Sequence, residues 1–506
     1  MRKVATKNYL IIGCVHLGIS KSVLALLAEL ARHHNADVIH LGSLLTEDEI
    51  KMYRRRMGFL RTWEKWAQEA IERGDERRAG TLLCKHTAAE DEVARIMEAQ
   101  QRRMDKLNQC MGKVSFVVND EQAIDVDAPS HMVLGHYLRL DSVHPNGMKV
   151  SGDPLSEVAL TMLRRHSLRD QHSVIVPHPT SRLVTHATPG VNNAFSYIST
   201  GCLFETQTAN RPSERHKAVN MPGAVFVSLD QESGEYHASR VVFARDRHRK
   251  CLMCAIDDEV FTRNGVEAPA EKHTASFDPH APYHCRRTQA AIWGFNGLSK
   301  PNTHILGGDV GDMRPVCPHI TNNLLEREGM RLGEALDALR DYIYSLRLSQ
   351  PVRWLRGNHE KWLDGFIEKN PMLQGLLDWD TLAAKWCVET INDNGPSPAL
   401  RIGDGTIRHG HQEGSIVKGA KLFESYVCGH GHRRDEWGRA YMAPASANEE
   451  DLTYTDGAVG RSVNGFLQLS VQAGRLFVTP HVVLWRGKDA STVRFSYRGQ
   501  IWETEV

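Results

Sequence analysis

Residues Thr303–Met313, THILGGDVGDM, carry the pattern from which the fold is predicted. This stretch begins with a short apolar run and ends in glycines and an aspartate, which is the pattern of a buried strand that leads into a loop. Four other stretches have this form: ASFDPHAPYH at 275–284, VRWLRGNHEKW at 352–362, TIRHGHQEG at 406–414 and YVCGHGHRR at 426–434. Because α/β folds bind ligands outside the carboxyl ends of their strands, we expect the polar residues of these loops to lie together.

The polar residues of these loops are of the types that bind divalent metal ions. Asp278 and His280 are two residues apart in an extended segment, so both side chains can reach one ion. Asp309 follows two glycines, whose missing Cβ permits a tight turn and lets the carboxylate approach two ions. A bridging carboxylate with neutral ligands around it suits two divalent metals about 3.5–4 Å apart. The neutral candidates are Asn358, His409, His430 and His432.

The ordered series of D-x-H, G-D, G-N-H-E, H-G and G-H-x-H resembles the calcineurin-like metallophosphoesterase superfamily over roughly residues 272–485. The resemblance implies two metal ions that share Asp309. The ligands of the first ion would be Asp278, His280, Asp309 and His432, and those of the second Asp309, Asn358, His409 and His430. Manganese is the expected metal, although such ligands also accept iron, zinc or nickel.

The resemblance also implies the catalytic residues, which are His359 and the bridging Asp309. His359 would contact the phosphate and help to protonate the leaving group, and a hydroxide that bridges the metals would be the nucleophile. His411 is either a substrate contact or the ligand in place of His409, which the motif favours. Arg356 and Arg433 are the other expected substrate contacts.

The loop after Asp309 separates this chain from one branch of the superfamily. Protein Ser/Thr phosphatases carry an arginine there, whereas this chain has Gly311, Asp312 and Met313. The compact motifs are more similar to stand-alone phosphoesterases of bacteria and their viruses.

The first half of the chain resembles a degenerate copy of the second half, in which residues of the site have been replaced. Six segments correspond in the same order, which indicates a tandem duplication. Residues with metal-binding or catalytic roles in the second half are replaced at Cys14, Ser43, Asp120 and Thr180, whereas His16, Asn119, His178 and His144 remain. Because Ser43 cannot bridge two metals, we expect a structural half that stands in for a second protomer or forms a wall of the substrate cleft. The alternative is a single zinc ion on Cys14, His16 and His178.

These correspondences divide the chain into two domains. Residues 1–243 would be the degenerate metallophosphoesterase-like domain, 244–273 a linker and 274–506 the catalytic domain. The expected fold class is α/β, with each domain a β-sandwich flanked by helices. Cys251 and Cys254 form a C-x-x-C that is either half of a zinc site or two small residues in the linker.

Residues 46–112 form a charged insertion with apolar positions at helical spacing, which predicts two long helices. Over residues 51–113 there are 15 Lys+Arg against 10 Asp+Glu. A helical face of mixed charge is usually solvated; the basic excess makes a contact with nucleic acid, with a protein partner or with a second copy of the chain the more specific hypothesis. A further helix is expected over Asn322–Leu348.

The composition excludes several classes of protein. Across 506 residues, 62 Lys+Arg balance 61 Asp+Glu, so the chain is neither a polycation nor an acidic tail. No apolar run reaches about 18 residues, and ten scattered cysteines form no disulfide framework. The apolar run near the N-terminus contains His16 and is more typical of a strand than of a signal peptide. We therefore expect an intracellular protein without membrane contact, in the host cytoplasm if it is viral.

The expected function is hydrolysis of phosphate esters by a two-metal site in the second half. Arginines near the ligands and in the insertion favour a phosphodiesterase or nuclease that acts on DNA, RNA or a nucleotide. One alternative is a phosphomonoesterase that acts on a small metabolite or a phosphoprotein. Another is a scaffold that holds metal without turnover, which the presence of His359 disfavours.

Overall fold

A computed structural model describes most of the second half and the sheets of the first. The described residues are 1–13, 20–41, 47–112, 114–118, 132–134, 138–139, 148–150, 173–176, 181–188, 191–203, 221–248, 250–320, 328–391, 398–413, 415–448, 451–452, 462–485 and 490–506. Within them the chain is a mixed α/β protein with four sheets, as the sequence predicted at the level of fold class.

The helices are α1 Lys21–His33, α2 Glu47–Glu72, α3 Glu76–Met111, α4 Arg286–Ser299, α5 Leu332–Arg347, α6 Asn358–Lys369, α7 Trp379–Trp386 and α8 Ile416–Leu422. The strands of the first half are β1 Arg2–Lys3, β2 Thr6–Gly13, β3 Asp37–Leu41, β4 Val114–Val118, β5 Met132–Leu134, β6 Leu138–Arg139, β7 Met148–Val150, β8 Ser173–Val176, β9 Ser181–Thr188, β10 Val191–Thr200, β11 Gly223–Asp230, β12 Tyr236–Arg245, β13 Leu252–Ile256, β14 Glu259–Thr262 and β15 Gly265–Glu267. The strands of the second half are β16 Glu271–Ser276, β17 Thr303–Leu306, β18 Val352–Leu355, β19 Glu389–Ile391, β20 Leu400–Ile402, β21 Gly405–Arg408, β22 Ser425–Cys428, β23 Asp435–Trp437, β24 Ala440–Met442, β25 Gly465–Gln472, β26 Arg475–Val482, β27 Thr492–Tyr497 and β28 Gln500–Glu505.

Two sheets repeat one strand order. The first sheet runs β15-β14-β13-β12-β11-β2-β3-β4-β5, and the second sheet runs β26-β25-β16-β17-β18-β19. From β12 to β5 the first sheet therefore has the order of the whole second sheet. In both, the four strands from β2 or β16 onward are parallel, and the two preceding strands are antiparallel.

A third sheet contains strands of both halves and is called the shared sheet. Its order is β6-β7-β8-β10-β9-β23-β24-β22-β21-β20, so the two halves contribute the same arrangement in reverse. They join where β9 pairs antiparallel with β23, with Val184 opposite Asp435. A small sheet of β1, β28 and β27 then ties the N-terminal strand to the last hairpin.

The apolar residues explain this layering. The shared sheet packs on the first sheet through one buried cluster and on the second sheet through another. The first cluster includes Ile11, Ile39, Ile175, Leu183 and Val225, and the second includes Ile305, Leu355, Ile407, Val427 and Leu467. Helices cover the outer faces of the first and second sheets. Their clusters include Leu24, Leu27 and Met104 on the first sheet, and Phe295, Leu339 and Trp354 on the second.

The insertion at residues 46–112 forms the helical hairpin α2–α3, as its periodicity predicted. Its full span, 47–111, has 14 Lys+Arg and 13 Asp+Glu, because Glu47, Asp48 and Glu49 precede the window in which basic residues were in excess. Within the described part of the chain, no helix is long and apolar enough to cross a membrane. Of the helix expected over Asn322–Leu348, only Leu332–Arg347 is observed, as α5; residues 328–331 are not helical, and residues 321–327 lie outside the described residues.

Residues 244–273, which the sequence predicted to be a linker, contain β-strands. Residues of this range form β13, β14, β15 and the start of β16, and β13–β15 extend the first sheet. Two of these strands are the short apolar runs LMCAI and EVFT, which were not predicted because charged residues flank them. Cys254 and Phe261 of these runs are fully buried. Within the described residues after Asn464 the chain forms β25, β26, β27 and β28, and β28 also pairs with β1.

Candidate metal centre

The predicted ligands follow the carboxyl ends of strands in two packed sheets. Asp278 follows β16, Asp309 follows β17 and Asn358 follows β18, and these three strands are parallel neighbours in the second sheet. The remaining predicted ligands follow the parallel pair β21 and β22 of the shared sheet; they are His409, His430 and His432. Because the two sheets pack face to face, both sets of loops meet at one edge.

Asp309 lies at the centre of this arrangement. Its Oδ2 is 3.1 Å from His409 Nε2 and 3.8 Å from His359 Nε2, and its Oδ1 accepts the His359 backbone N–H at 2.8 Å. His409 Nε2 is also 3.0 Å from Asn358 Oδ1. Asp309 belongs to two groups whose potential ligand atoms lie within 4.8 Å of one another, one with His409 and His430 and the other with His280 and His359.

Asp278, His280 and His432 form an adjoining group within the same distance limit. His280 Nε2 and His432 Nε2 are 3.3 Å apart, so the two rings present nitrogen atoms to the same point. Asp278 Oδ2 accepts the His430 backbone N–H at 2.8 Å, and Asp278 Oδ1 is 3.8 Å from His432 Nε2. The structure therefore brings together all seven predicted ligand residues.

The charges of this site act on one another. Burial alone would raise the pKa of the Asp309 carboxyl, but the nearby imidazoles, with His409 the largest contributor, hold it well below its usual range. Burial would likewise lower the pKa of His409, but Asp309 and Asp278 raise it to about 9. His409 Nδ1 donates to the Gly307 carbonyl at 3.2 Å, which leaves Nε2 as the nitrogen that faces the other ligands.

A buried oxygen atom of Asp278 indicates that the predicted ligand residues suit divalent metal ions. Asp278 is fully buried, and within the described residues its Oδ1 makes no hydrogen bond. A buried carboxylate oxygen without a donor is costly, and a cation would satisfy it. Aspartate, histidine and carboxamide ligands suit the borderline divalent metals, so buried His/Asp clusters here are able to hold metal ions.

The backbone of the site is in an uncommon conformation at five of the predicted ligands. The left-handed φ values are 52° at Asp278, 49° at His280, 48° at Asp309, 64° at His430 and 50° at His432. Residues other than glycine rarely adopt this region, and such strain concentrates at functional sites.

Glycine allows the loops to approach closely. Gly308 has φ +103°, and a Cβ there would lie 2.6 Å from His409 Nδ1. A Cβ on Gly357 would lie 2.2 Å from Asp309 Oδ1. The prediction that the double glycine lets the Asp309 carboxylate reach its partners thus has a direct steric basis at Gly308.

Two buried acids support the ligands and were not assigned a role from the sequence. The Glu360 carboxylate accepts the backbone N–H groups of Gly357 and Asp309 on Oε2, at 2.7 and 3.0 Å, and that of Val310 on Oε1 at 2.7 Å. Asp312 Oδ1 is 3.6 Å from His280 Nδ1. Glu360 was visible in G-N-H-E, but its role depends on the fold of the loop after β17.

His359 is oriented by its backbone partner. Its Nδ1–H donates to the Asp312 carbonyl at 2.6 Å, so Nε2 is the nitrogen turned toward Asp309. The ring stacks on Trp362, with centroids 3.8 Å apart.

His411 lies outside the groups that contain Asp309. Its Nε2 is 3.3 Å from Lys361 Nζ, and its ring centroid is 5.6 Å from that of His409. Burial, followed by the charge of His409, lowers the pKa of His411 to about 4. The geometry favours His409 as the ligand and leaves His411 beside the site.

The arginines near the site differ in accessibility. Arg356 and Arg433 are partly exposed, and Arg356 Nη1 is 3.6 Å from Asp364 Oδ2. Arg434 is buried: its Nε donates to Glu436 Oε1 at 2.7 Å and its Nη2 to the Ala238 carbonyl at 3.0 Å. Arg434 therefore joins the two halves and does not face a substrate.

The candidate residues of the first half lie outside the described residues; they are Cys14, His16, Ser43, Asn119, Asp120, His144, His178 and Thr180. Cys254 of the C-x-x-C is buried in β13, and burial raises the pKa of its thiol. Within the described residues neither Cys251 nor Cys254 belongs to a group able to hold a metal ion.

Comparison with known proteins finds likeness in structure only. No protein-family description matches the sequence, and no curated protein does. Vacuolar Protein Sorting 29 from Cryptosporidium parvum is 13% identical, with 47% of this chain and 98% of that chain covered and a TM-score of 0.25. Vps29 of Chaetomium thermophilum is 12% identical, with 46% and 97% covered and a TM-score of 0.25. A likeness of this size does not define an activity.

Proposed function

We propose that the chain is a metal-dependent phosphoesterase whose active site is the Asp309 centre. The observation that carries the proposal is the buried Asp309 carboxylate, which lies in two groups of potential ligands at once. Asp278, His280 and His432 would hold one ion, and Asn358, His409 and His430 would hold the other, with Asp309 between them. Two divalent ions would supply a bridging hydroxide as nucleophile and would neutralise charge on the phosphate.

The side chains around the two proposed metal positions would have different roles in the reaction. The Nδ1 contact with Asp312 fixes the orientation of His359, so that Nε2 is available to protonate a leaving oxygen. Glu360 holds the backbone from Asp309 to Gly311 and so positions the bridging carboxylate. His411, Arg356 and Arg433 are the proposed substrate contacts beside the centre.

Within this class we propose a phosphodiester substrate, such as DNA, RNA or a nucleotide. Partly exposed Arg356 and Arg433 flank ligand residues and suit the charge of a phosphodiester. A monoester of a metabolite or protein is the second candidate. Burial of Arg434 and the balanced charge of the α2–α3 hairpin favour it, because both reduce the basic surface offered to a long polyanion.

We also propose that the chain arose by tandem duplication. The shared order of the first and second sheets supports it, as does the mirrored order within the shared sheet. In this proposal the first half replaces the second protomer of a dimer, because its β9 occupies the edge of β23 that would otherwise be free.

Turnover of model esters tests the proposed chemistry. Full-length protein with Mn²⁺ is assayed on bis(p-nitrophenyl) phosphate and p-nitrophenyl phosphate at equal enzyme concentration, and then on DNA and RNA. Faster turnover of the diester is expected. Turnover of the monoester alone would contradict the diester assignment, and no turnover of any substrate would favour a metal-holding scaffold.

The variant His359→Asn tests whether His359 acts as a general acid that protonates the leaving group. Its lower rate should be most evident with poor leaving groups, whereas p-nitrophenolate needs little protonation. An equal loss on good and poor leaving groups would argue against general-acid catalysis by His359.

A further inference from the structure

A further group of potential ligands lies in the first half and shares no residue with the groups of the Asp309 centre. His33 ends α1 and His34 follows it, while Glu259 begins β14. His33 Nε2 is 3.0 Å from Glu259 Oε1, and His34 Nε2 is 3.4 Å from Glu259 Oε2. The three potential ligand atoms lie within 4.8 Å of one another.

Two buried atoms of this group lack hydrogen bonds. The His34 side chain is 4% exposed and that of Glu259 12% exposed. Within the part of the chain that the structure describes, neither His34 Nε2 nor Glu259 Oε2 makes a hydrogen bond, although each faces the other. Buried polar atoms are nearly always paired, so this arrangement needs a partner that serves both.

We propose that His33, His34 and Glu259 bind one zinc ion. Zinc takes histidine nitrogen at about 2.0–2.1 Å and carboxylate oxygen at about 2.0–2.2 Å, so two ligands of a tetrahedral site lie about 3.4 Å apart. The separation of His34 Nε2 from Glu259 Oε2 is 3.4 Å. Three protein ligands would leave the fourth position of a tetrahedral zinc site to water.

The surroundings hold the rings in place. The His34 ring centroid is 5.0 Å from that of Phe226 and 5.9 Å from that of Phe261, and the His33 ring packs on Phe261 at 5.6 Å. Burial, with smaller contributions from His33 and Arg498, lowers the pKa of His34 to about 3. His34 is therefore neutral at physiological pH, which is the form of histidine that binds metals.

One nearby cation competes for the carboxylate. Arg498 Nε is 3.8 Å from Glu259 Oε1, but the same guanidinium makes two hydrogen bonds with Asp258, at 2.7 and 3.0 Å. Because Asp258 is the main partner of Arg498, Glu259 keeps its oxygen atoms for another cation. A zinc ion here would tie the end of α1 to the first sheet.

The zinc content of the full-length protein tests the proposal. Wild type and Glu259→Gln are dialysed to equilibrium against Zn²⁺, and bound zinc is counted per chain. Wild type should bind one equivalent more than Glu259→Gln. Because the test uses only the difference in bound zinc between wild type and Glu259→Gln, the result does not depend on whether the Asp309 centre binds metal.

Two further variants complete the experiment. Glu29→Gln removes a carboxylate from α1 outside the group and should keep the wild-type zinc count. His33→Ala removes a ligand whose side chain is 37% exposed, so its loss leaves the core intact and serves if Glu259→Gln does not fold. It too should bind one equivalent less. Equal counts in wild type and in a folded Glu259 or His33 variant would overturn the proposal.

Discussion

At the scale of single residues, Glu360 joins the loops of the metal centre. Its two oxygen atoms accept four backbone N–H groups, from Gly357, Asp309, Val310 and Gly311. Burial, and then the charge of Asp309, raises its pKa, and the hydrogen bond from the Gly357 N–H, followed by the charges of His409 and His359, opposes that rise. The Glu360 carboxylate therefore fixes the backbone of the loop that carries Asp309.

Replacing Glu360 tests this positioning role. Glu360→Gln puts an amide group against backbone donors, so the loop shifts and Mn²⁺ affinity should fall about 10–100-fold. Titration of apoprotein with Mn²⁺ gives the affinity. Glu368→Gln, on the exposed face of the same helix, should leave it unchanged. Unaltered affinity in Glu360→Gln would mean that the loop holds its shape without the carboxylate.

Gly308 is the residue at which side-chain volume and backbone conformation both matter. Gly308→Ala would place a Cβ 2.6 Å from His409 Nδ1 at a φ of +103°. We expect the free energy of unfolding to fall by on the order of 1–3 kcal/mol. Denaturant unfolding measures the change. Gly365→Ala, in α6 with no atom within 4 Å of the added Cβ, should instead stabilise by roughly 0.5–1 kcal/mol.

At the scale of elements, the junction of β9 with β23 depends on buried charge. Arg240 of β12 donates to Glu436 Oε2 at 2.9 Å, to the Ser181 carbonyl at 2.5 Å and to the Gly438 carbonyl at 2.7 Å. Its side chain is fully buried, and that of Glu436 is 1% exposed. One arginine of the first half thus serves acceptors on both strands of the junction.

Removing this arginine should weaken the whole molecule. Arg240→Met removes the donor to the buried Glu436 Oε2 and to the Gly438 carbonyl, and we expect the free energy of unfolding to fall by about 3 kcal/mol or more. Arg182→Met on β9 is the control. Its ion pair with Asp435 is 3.8 Å long and partly exposed, so its loss should cost below about 1 kcal/mol. An equal loss of unfolding free energy in both variants would show that the buried hydrogen bonds of Arg240 do not stabilise the junction more than the Arg182 ion pair does.

At the scale of the whole molecule, the two halves form one structure, although the predicted ligands of the Asp309 centre all belong to the second half. The shared sheet crosses from β9 to β23, and β12–β14 pack on Phe477 of the second half. A fragment of residues 269–506 would expose the β23 edge and this apolar surface, so we expect it to aggregate. Size-exclusion chromatography tests this. A monodisperse and active fragment would show that the first half is dispensable.

The sequence predicted the ligand loops because strand and ligand are adjacent in the chain. His359, for example, lies four residues after the short strand Val352–Leu355, so its place near a strand end needed no knowledge of the tertiary fold. The burial of Arg434 was not predictable in this way, because it depends on Glu436 and on the pairing of Glu436 with Arg240, 196 residues earlier in the chain. The strands in 252–267 were missed because short apolar runs between charged residues are ambiguous from sequence alone.

The central claim, that Asp309 is the ligand common to two catalytic ions, is tested most directly by Asp309→Ala. The measurement is turnover of bis(p-nitrophenyl) phosphate over a Mn²⁺ titration, with circular dichroism to establish that the variant is folded. We predict that the folded variant has no activity above background at any Mn²⁺ concentration. A folded Asp309→Ala protein that retains wild-type turnover would contradict the assignment of the site.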